Sequence, residues 1–262
     1  MQQQGQITDA GRVDFPDKVA MSIERLQHFE PPEGYYLAFS GGKDSVVIYD
    51  LAVKAGVKFD AHYNLTTVDP PELVKFIKQE YPAVERHRPE MNMWQLIVKH
   101  GTPPTRLMRY CCGALKEHGG AGRHVVTGIR WQESNKRKNR RMVESCFNDA
   151  SRIYINPIID WDDQEVWQHI RQNKIKYCFL YDEGFKRLGC VMCPMGDKTG
   201  MLKDAKRWPR IYRLYLKAFE KVIEKRRGKG TLKKNWNTAE DLMHWWIYNP
   251  PKGDPDQGVL FE

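Results

Sequence analysis

The stretch that most constrains this chain is Tyr35 to Tyr49, YYLAFSGGKDSVVIY. The apolar run Tyr35-Tyr36-Leu37-Ala38-Phe39 has the length and composition of a buried strand. It stops at Ser40-Gly41-Gly42, and Asp44-Ser45 are residues that start helices. Strand, glycine turn and helix start together aim backbone N–H groups and a helix dipole at one point, which favours phosphate. The glycines let a ligand approach the backbone closely, and Lys43 adds a point charge for phosphate oxygens. The spacing is not Gly-x-x-x-x-Gly-Lys-Ser/Thr, so this is a different phosphate loop from that one.

Around this loop the pattern alternates. Asp17 to Glu30 has helical periodicity and ends before Pro31-Pro32-Glu33-Gly34. Residues 44–55 continue the loop into a helix. Lys58 to Leu65 alternates like a strand, Pro70-Pro71 opens a helix, Val84 to His87 reads as a strand and Met93 to His100 as a helix. Arg123 to Arg130 is a strand running into a charged loop, Ile153 to Ile158 a further strand, and Asp162 to Arg171 a helix. Such alternation predicts βαβ units on a parallel, doubly wound α/β sheet with helices on both faces and ligands at the strand C-termini. From about residue 175 the pattern changes to a cysteine-containing loop and a long basic helix near 203–227. The expected organisation is a lead-in and helix over 1–33, a nucleotide-binding domain over 34–175, and a small helical C-terminal subdomain over 176–262.

Composition enters through charge and cysteine. The net charge of +9 is concentrated in two places. Residues 123–141 hold seven Lys or Arg against Glu133, and residues 198–234 hold fourteen against Asp204, Glu220 and Glu224. Such patches point to a polyanionic partner, nucleic acid or nucleotide phosphate, although the second also reads as a solvated helix face. No apolar run approaches the roughly 20 residues that span a bilayer, and the N-terminus lacks a signal pattern, so a cytoplasmic protein without membrane contact is expected. Cysteines there act as metal ligands, catalytic thiols or core residues rather than disulfides. Cys111-Cys112 and Cys190-Val191-Met192-Cys193 supply four thiolates without a nearby histidine, a set that suits a [4Fe-4S] cluster or an all-thiolate Zn²⁺ site. Cys146 and Cys178 lack partners at ligand spacing.

Taken in order, these blocks resemble a known family. Ser40-Gly41-Gly42-Lys43-Asp44-Ser45 resembles the PP-loop of the N-type ATP pyrophosphatases. The adjacent pair Cys111-Cys112 with the later Cys190-x-x-Cys193 is similar to the [4Fe-4S] pattern of assimilatory adenylylsulfate reductases. Gly128-x-Arg130-x-x-Glu133-Ser134-x-x-Arg137, the Asn156-Pro157-Ile158 block and the Leu180 to Cys190 block also resemble elements of the phosphoadenosine phosphosulfate (PAPS) reductase-like branch of that superfamily. The resemblance covers about residues 34–196. It implies an adenine nucleotide held by Ser40 to Ser45 and by Gly128, Arg130, Glu133, Ser134 and Arg137, with Arg130 and Arg137 on phosphate or sulfate. It further implies a cluster on Cys111, Cys112, Cys190 and Cys193.

Two departures bear on activity. Sulfonucleotide reductases of this branch carry a catalytic cysteine in a late Glu-Cys-Gly-x-His element, and no cysteine follows Cys193 here. Their phosphate loops are degenerate, whereas this one is intact. An intact loop with a four-cysteine centre is similar to the ATP-using component of DNA phosphorothioation and, more distantly, to iron–sulfur tRNA thiolases. The resemblance therefore implies cleavage of ATP to AMP and pyrophosphate with Mg²⁺, Lys43, Asp44 and Ser45 nearest the chemistry. An acceptor, DNA or tRNA, would be adenylylated for sulfur transfer from a donor such as a cysteine desulfurase. A sulfonucleotide reductase and a non-catalytic nucleic-acid-binding module are the alternatives. Whether the chain forms a homo-oligomer is left open.

Overall fold

The computed structural model describes residues 17–146 and 151–248 and two short strands, β1 (Gln6–Ile7) and β2 (Val13–Asp14), which pair antiparallel within the expected lead-in. Residues 249–262 of the expected C-terminal subdomain lie outside the described residues. The central feature is a six-stranded sheet of β3 (Tyr35–Ala38), β4 (Phe59–Asn64), β5 (Glu85–His87), β6 (His124–Val126), β7 (Val143–Ser145) and β8 (Ile153–Ile155). Their order is β5-β4-β3-β6-β8-β7. β6 runs parallel to β3 and to β8, and β5 parallel to β4, while the edge strand β7 is antiparallel to β8. The order reverses at β3, the topological switch point where ligands of open α/β sheets bind. The expected α/β sheet is therefore present, with a helical C-terminal part.

By compactness the chain forms two units. One comprises residues 1–39, 43–61 and 120–176; the other comprises 40–42, 62–119 and 177–262. The first carries α1 (Lys18–His28), α2 (Lys43–Ala55), the short α6 (Asn135–Lys138) and α7 (Asp163–Gln172). Asp17 caps α1 through the N–H groups of Val19 and Ala20, and Asp162 with Glu165 forms a capping box on α7. Leu26, Leu37, Val46, Val47, Leu51, Ile155, Val166 and Ile170 are buried. At about 1.5–3 kcal/mol per fully buried aliphatic side chain, they supply the main favourable term. Arg25 reaches from α1 to the Asp160 carboxylate through two bonds of 2.8 and 3.0 Å.

The second unit holds α3 (Pro71–Glu80), α4 (Met93–His100), α5 (Tyr110–Leu115), α8 (Lys198–Arg207), α9 (Pro209–Gly228) and α10 (Ala239–Tyr248). Phe219, Val222, Leu242 and Trp246 are buried, and Trp246 Nε1 donates to the Pro104 carbonyl at 2.6 Å. The long basic helix expected near 203–227 is two helices. Trp208 stands at φ −124°, ψ 66°, and Pro209 takes the first position of α9. Proline lacks an N–H and disfavours helical backbone in the residue before it, so the chain turns there. Among the described residues, no helix is long and apolar enough to cross a membrane.

Candidate nucleotide loop and cysteine site

The loop after β3 is shaped by glycine. Gly41 has φ +72°, and a Cβ there would sit 2.7–2.8 Å from atoms of Ile77 and Leu73 on α3. No L-residue fits without displacing that apolar wall. Gly42 N–H approaches Ser40 Oγ at 3.4 Å, and a Cβ on Gly42 would lie 3.4 Å from Ser40 Oγ and from the Tyr181 hydroxyl. Tyr181 thus faces the loop, a residue the motif itself does not signal.

Lys43 opens α2 and is buried, with Nζ 3.2 Å from Asp44 Oδ2 and 3.4 Å from Asp163 Oδ1. Arg130, 1% exposed, donates from Nε to Asp44 Oδ1 at 2.7 Å and from Nη2 to Asp163 Oδ1 at 2.5 Å, and Nη1 reaches the Trp161 carbonyl at 3.3 Å. The guanidinium expected to meet phosphate is therefore turned inward onto two carboxylates and holds Asp44 at the helix start. Burial opposes its charge, but Asp44 and Asp163 outweigh this and raise its pKa. Burial would raise the Asp163 carboxyl, yet Lys43 and Arg130 hold it below the usual range. Gly128 has a packing reason of its own, since a Cβ would come within 3.0 Å of Asp44 Cβ. Glu133 accepts from the Arg130 N–H at 3.0 Å and pairs with Arg137, while Ser134 Oγ caps the Arg137 N–H at 3.2 Å. Ser45 is buried in the first turn of α2.

The four cysteines are brought together within the second unit, from α5 and from the loop before α8. A hydrogen bond from Cys111 lowers the pKa of Cys112, which Arg109 Nη2 also approaches at 3.6 Å; the same bond, with burial, raises Cys111. Cys190 and Cys193 contribute further to the rise at Cys111, and burial with Cys190 raises Cys193. Desolvation works against the Lys116 ammonium, but Cys190, Cys193 and Asp69 prevail and raise its pKa. Four sulfurs in one electrostatic neighbourhood beside two cations are a donor set that fits an anionic metal–thiolate centre. No three of them lie within 4.8 Å of one another. A tetrahedral zinc with Zn–S near 2.3 Å needs sulfurs about 3.8 Å apart, closer than any three of these lie.

The Cys190-to-Cys193 turn is held from several sides. Val191 N–H donates to the Val68 carbonyl at 2.8 Å, and Val191 carbonyl accepts from the buried Tyr215 hydroxyl at 3.2 Å. Met192, at φ +56°, donates its N–H to Asp204 at 2.7 Å. Arg106 binds the carbonyls of Pro194 and Gly196 at 3.2 and 2.9 Å. Asp204, Tyr215, Arg106 and Lys116 were not legible as site residues, because each acts through a contact distant in sequence.

A mostly parallel sheet with a glycine-rich loop at its switch point defines a PP-loop nucleotide-binding fold of the adenine nucleotide alpha hydrolase-like type. The Phosphoadenosine phosphosulfate reductase domain family matches residues 34–196, and the chain belongs to that family. An uncharacterized protein of Methanocaldococcus jannaschii is 30% identical over 243 residues, covering 86% of this chain and 49% of that protein. The adenosine 5'-phosphosulfate reductase of Oceanobacillus iheyensis is 27% identical over 186 residues, covering 65% of this chain and 75% of that enzyme. The chain spans about half the length of the first curated relatives it matches. In fold it is similar to a PAPS reductase from Candida auris in a phosphate complex, with TM-score 0.51 and 21% identity over 64% of this chain and 87% of that one.

Proposed function

We propose that this chain binds ATP at Ser40 to Ser45 and cleaves it to AMP and pyrophosphate while adenylylating an acceptor for sulfur transfer. The observation that carries the reading is the intact loop. Gly41 is locked against α3, Lys43 opens α2, and Asp44 is held in place by Arg130. Amides and helix dipole would bind the pyrophosphate, and Lys43 would offset charge as the α–β bond breaks. An acceptor oxygen would attack the α-phosphorus, its proton leaving to solvent, with pyrophosphate as leaving group. A sulfur nucleophile would then displace AMP from the acceptor. Mg²⁺ would travel with the polyphosphate, with Asp44 and Asp163 the carboxylates at the helix start. Cys111, Cys112, Cys190 and Cys193 would hold a [4Fe-4S] cluster, which supplies sulfur or electron chemistry when bound; Lys116 and Arg109 would balance its charge.

A nucleic acid is the acceptor class favoured by the exposed basic residues Arg210, Arg213, Lys217 and Lys221, which recur at helical spacing on α9. A sulfur-donor protein completes the scheme. The second reading, a sulfonucleotide reductase, is favoured by the similarity to adenosine 5'-phosphosulfate reductase. Product analysis with labelled ATP separates the two. AMP and pyrophosphate, falling roughly 100-fold in Lys43→Ala, support the first reading. ADP and phosphate contradict it, and sulfite released from a sulfonucleotide establishes the second.

A further inference from the structure

A second group of metal-binding side chains lies on the sheet, formed by His62 on β4 with Glu85 and His87 on the edge strand β5. The parallel register pairs His62 with Glu85 and Asn64 with His87. Side chains two apart on a strand share a face, so these four residues make a two-by-two patch on one face of the sheet. His62 Nδ1 lies 2.8 Å from His87 Nε2 and 3.5 Å from Glu85 Oε2, and His87 Nε2 lies 3.7 Å from Glu85 Oε2. One ligand atom from each residue falls within 4.8 Å of the others.

A tetrahedral ion with metal–nitrogen bonds near 2.0–2.1 Å places its ligand atoms about 3.3 Å apart, which is the middle of this range. The ring centroids lie 5.0 Å apart with planes at 27°, so the two rings meet nearly edge to edge through the hydrogen bond between these nitrogens, which a bound ion would replace. His62 is buried, which fixes one donor, whereas Glu85 is exposed and admits an ion from solvent. On the same face the Asn64 amide donates to the carbonyls of Lys116 and His118, while its own oxygen is buried without a hydrogen-bond partner.

We propose that His62, Glu85 and His87 form a binding site for a divalent first-row transition ion of the zinc or cobalt type, separate from the cysteine site. Two imidazoles and one carboxylate suit such ions and discriminate against Mg²⁺ and Ca²⁺, which take oxygen donors. Three protein ligands leave a position open to water, and the ion ties the three-residue edge strand β5 to β4. The proposal does not depend on the ATP reading.

Co²⁺ is the probe, because ligand type is visible in its spectrum. Anaerobic titration of the metal-stripped full chain should give ligand-field bands in two components, only one accompanied by thiolate-to-metal charge transfer. His87→Ala and Glu85→Ala, both at solvent-accessible positions, should weaken the component without charge transfer by at least ~100-fold and leave the thiolate component in place. Cys190→Ser with Cys193→Ser should do the reverse. Retention of both components in the His87 and Glu85 variants overturns the site, as does a wild-type spectrum with thiolate character alone. Should the cysteine variant fail to fold, zinc counts decide the matter. After saturation and dialysis, wild type should hold one equivalent more than His87→Ala, and equal counts refute the proposal.

Discussion

Gly41 sits at φ +72° with the side chains of Leu73 and Ile77 where a Cβ would go. Gly41→Ala therefore carries both a strained backbone and a clash, at a cost of about 1–3 kcal/mol. The expected outcome is a lower midpoint in thermal unfolding together with loss of ATP binding by calorimetry; unchanged binding would mean that the loop backbone does not form the phosphate site. Arg130 belongs to the same scale. Its guanidinium lies between Asp44 and Asp163, with Asp163 half-exposed, and removing it leaves a carboxylate at the helix start without its main counter-charge. Arg130→Met should destabilise by about 3 kcal/mol, measured by denaturant midpoint, and should lower ATP affinity through Asp44. The same arginine was expected from the motif to grip phosphate. Its inward turn was not readable, because Asp163 approaches only when the chain has folded.

At the scale of elements, α1 is fastened by charge. The Asp160 carboxyl is pushed upward by burial, but its bonds to Arg25 prevail and hold it below the ordinary carboxylate range. A depressed folded-state pKa contributes stability that is present above about pH 4, the unfolded value, and is lost as pH falls through the folded value. Thermal midpoints should therefore drop below pH 4, and Asp160→Asn should be less stable at pH 7 while showing a flatter acid limb. An acid limb of unchanged slope would remove Asp160 from the account. The basic C-terminal helices separate into two groups. Lys225 Nζ binds the carbonyls of Val98 and Lys99, and Arg226 Nε the carbonyl of Gly101, so both satisfy the free carbonyls at the end of α4. Reversing Arg226 should destabilise the fold and would be a poor test of nucleic-acid binding. Reversing Arg213 and Lys217, which are exposed, should leave stability intact. It should lower DNA or RNA affinity and reduce the salt slope by about 0.9 for each phosphate no longer neutralised, as read from binding isotherms at several salt concentrations. Affinity unchanged in that variant would return α9 to a solvated helix face.

For the molecule as a whole, the centre proposed on the four cysteines would tie α5 to the loop before α8 and stabilise the fold by mass action. Anaerobically purified protein should be brown and contain iron and acid-labile sulfide, and chelation in air should lower its thermal midpoint and expose oxidisable thiols. Absence of iron and sulfide after anaerobic reconstitution would eliminate the cluster. Much of this architecture was open to reading from the chain itself. Strand-to-helix alternation, the Ser40 to Ser45 loop and the paired cysteines are local patterns, written in residues adjacent in sequence. The break at Pro209 was equally local but was overridden by the helical periodicity on either side of it. What the sequence by itself determined was the sheet and the switch-point loop, and it pointed to the four thiols proposed as a metal site. Only the tertiary structure decided which side chains serve them. Arg130 turns inward, Asp204 and Tyr215 hold the Cys190 turn, and His62 meets His87 across two strands. Each of these pairings joins residues far apart in the chain, set by register and packing, and composition and spacing carry no record of it.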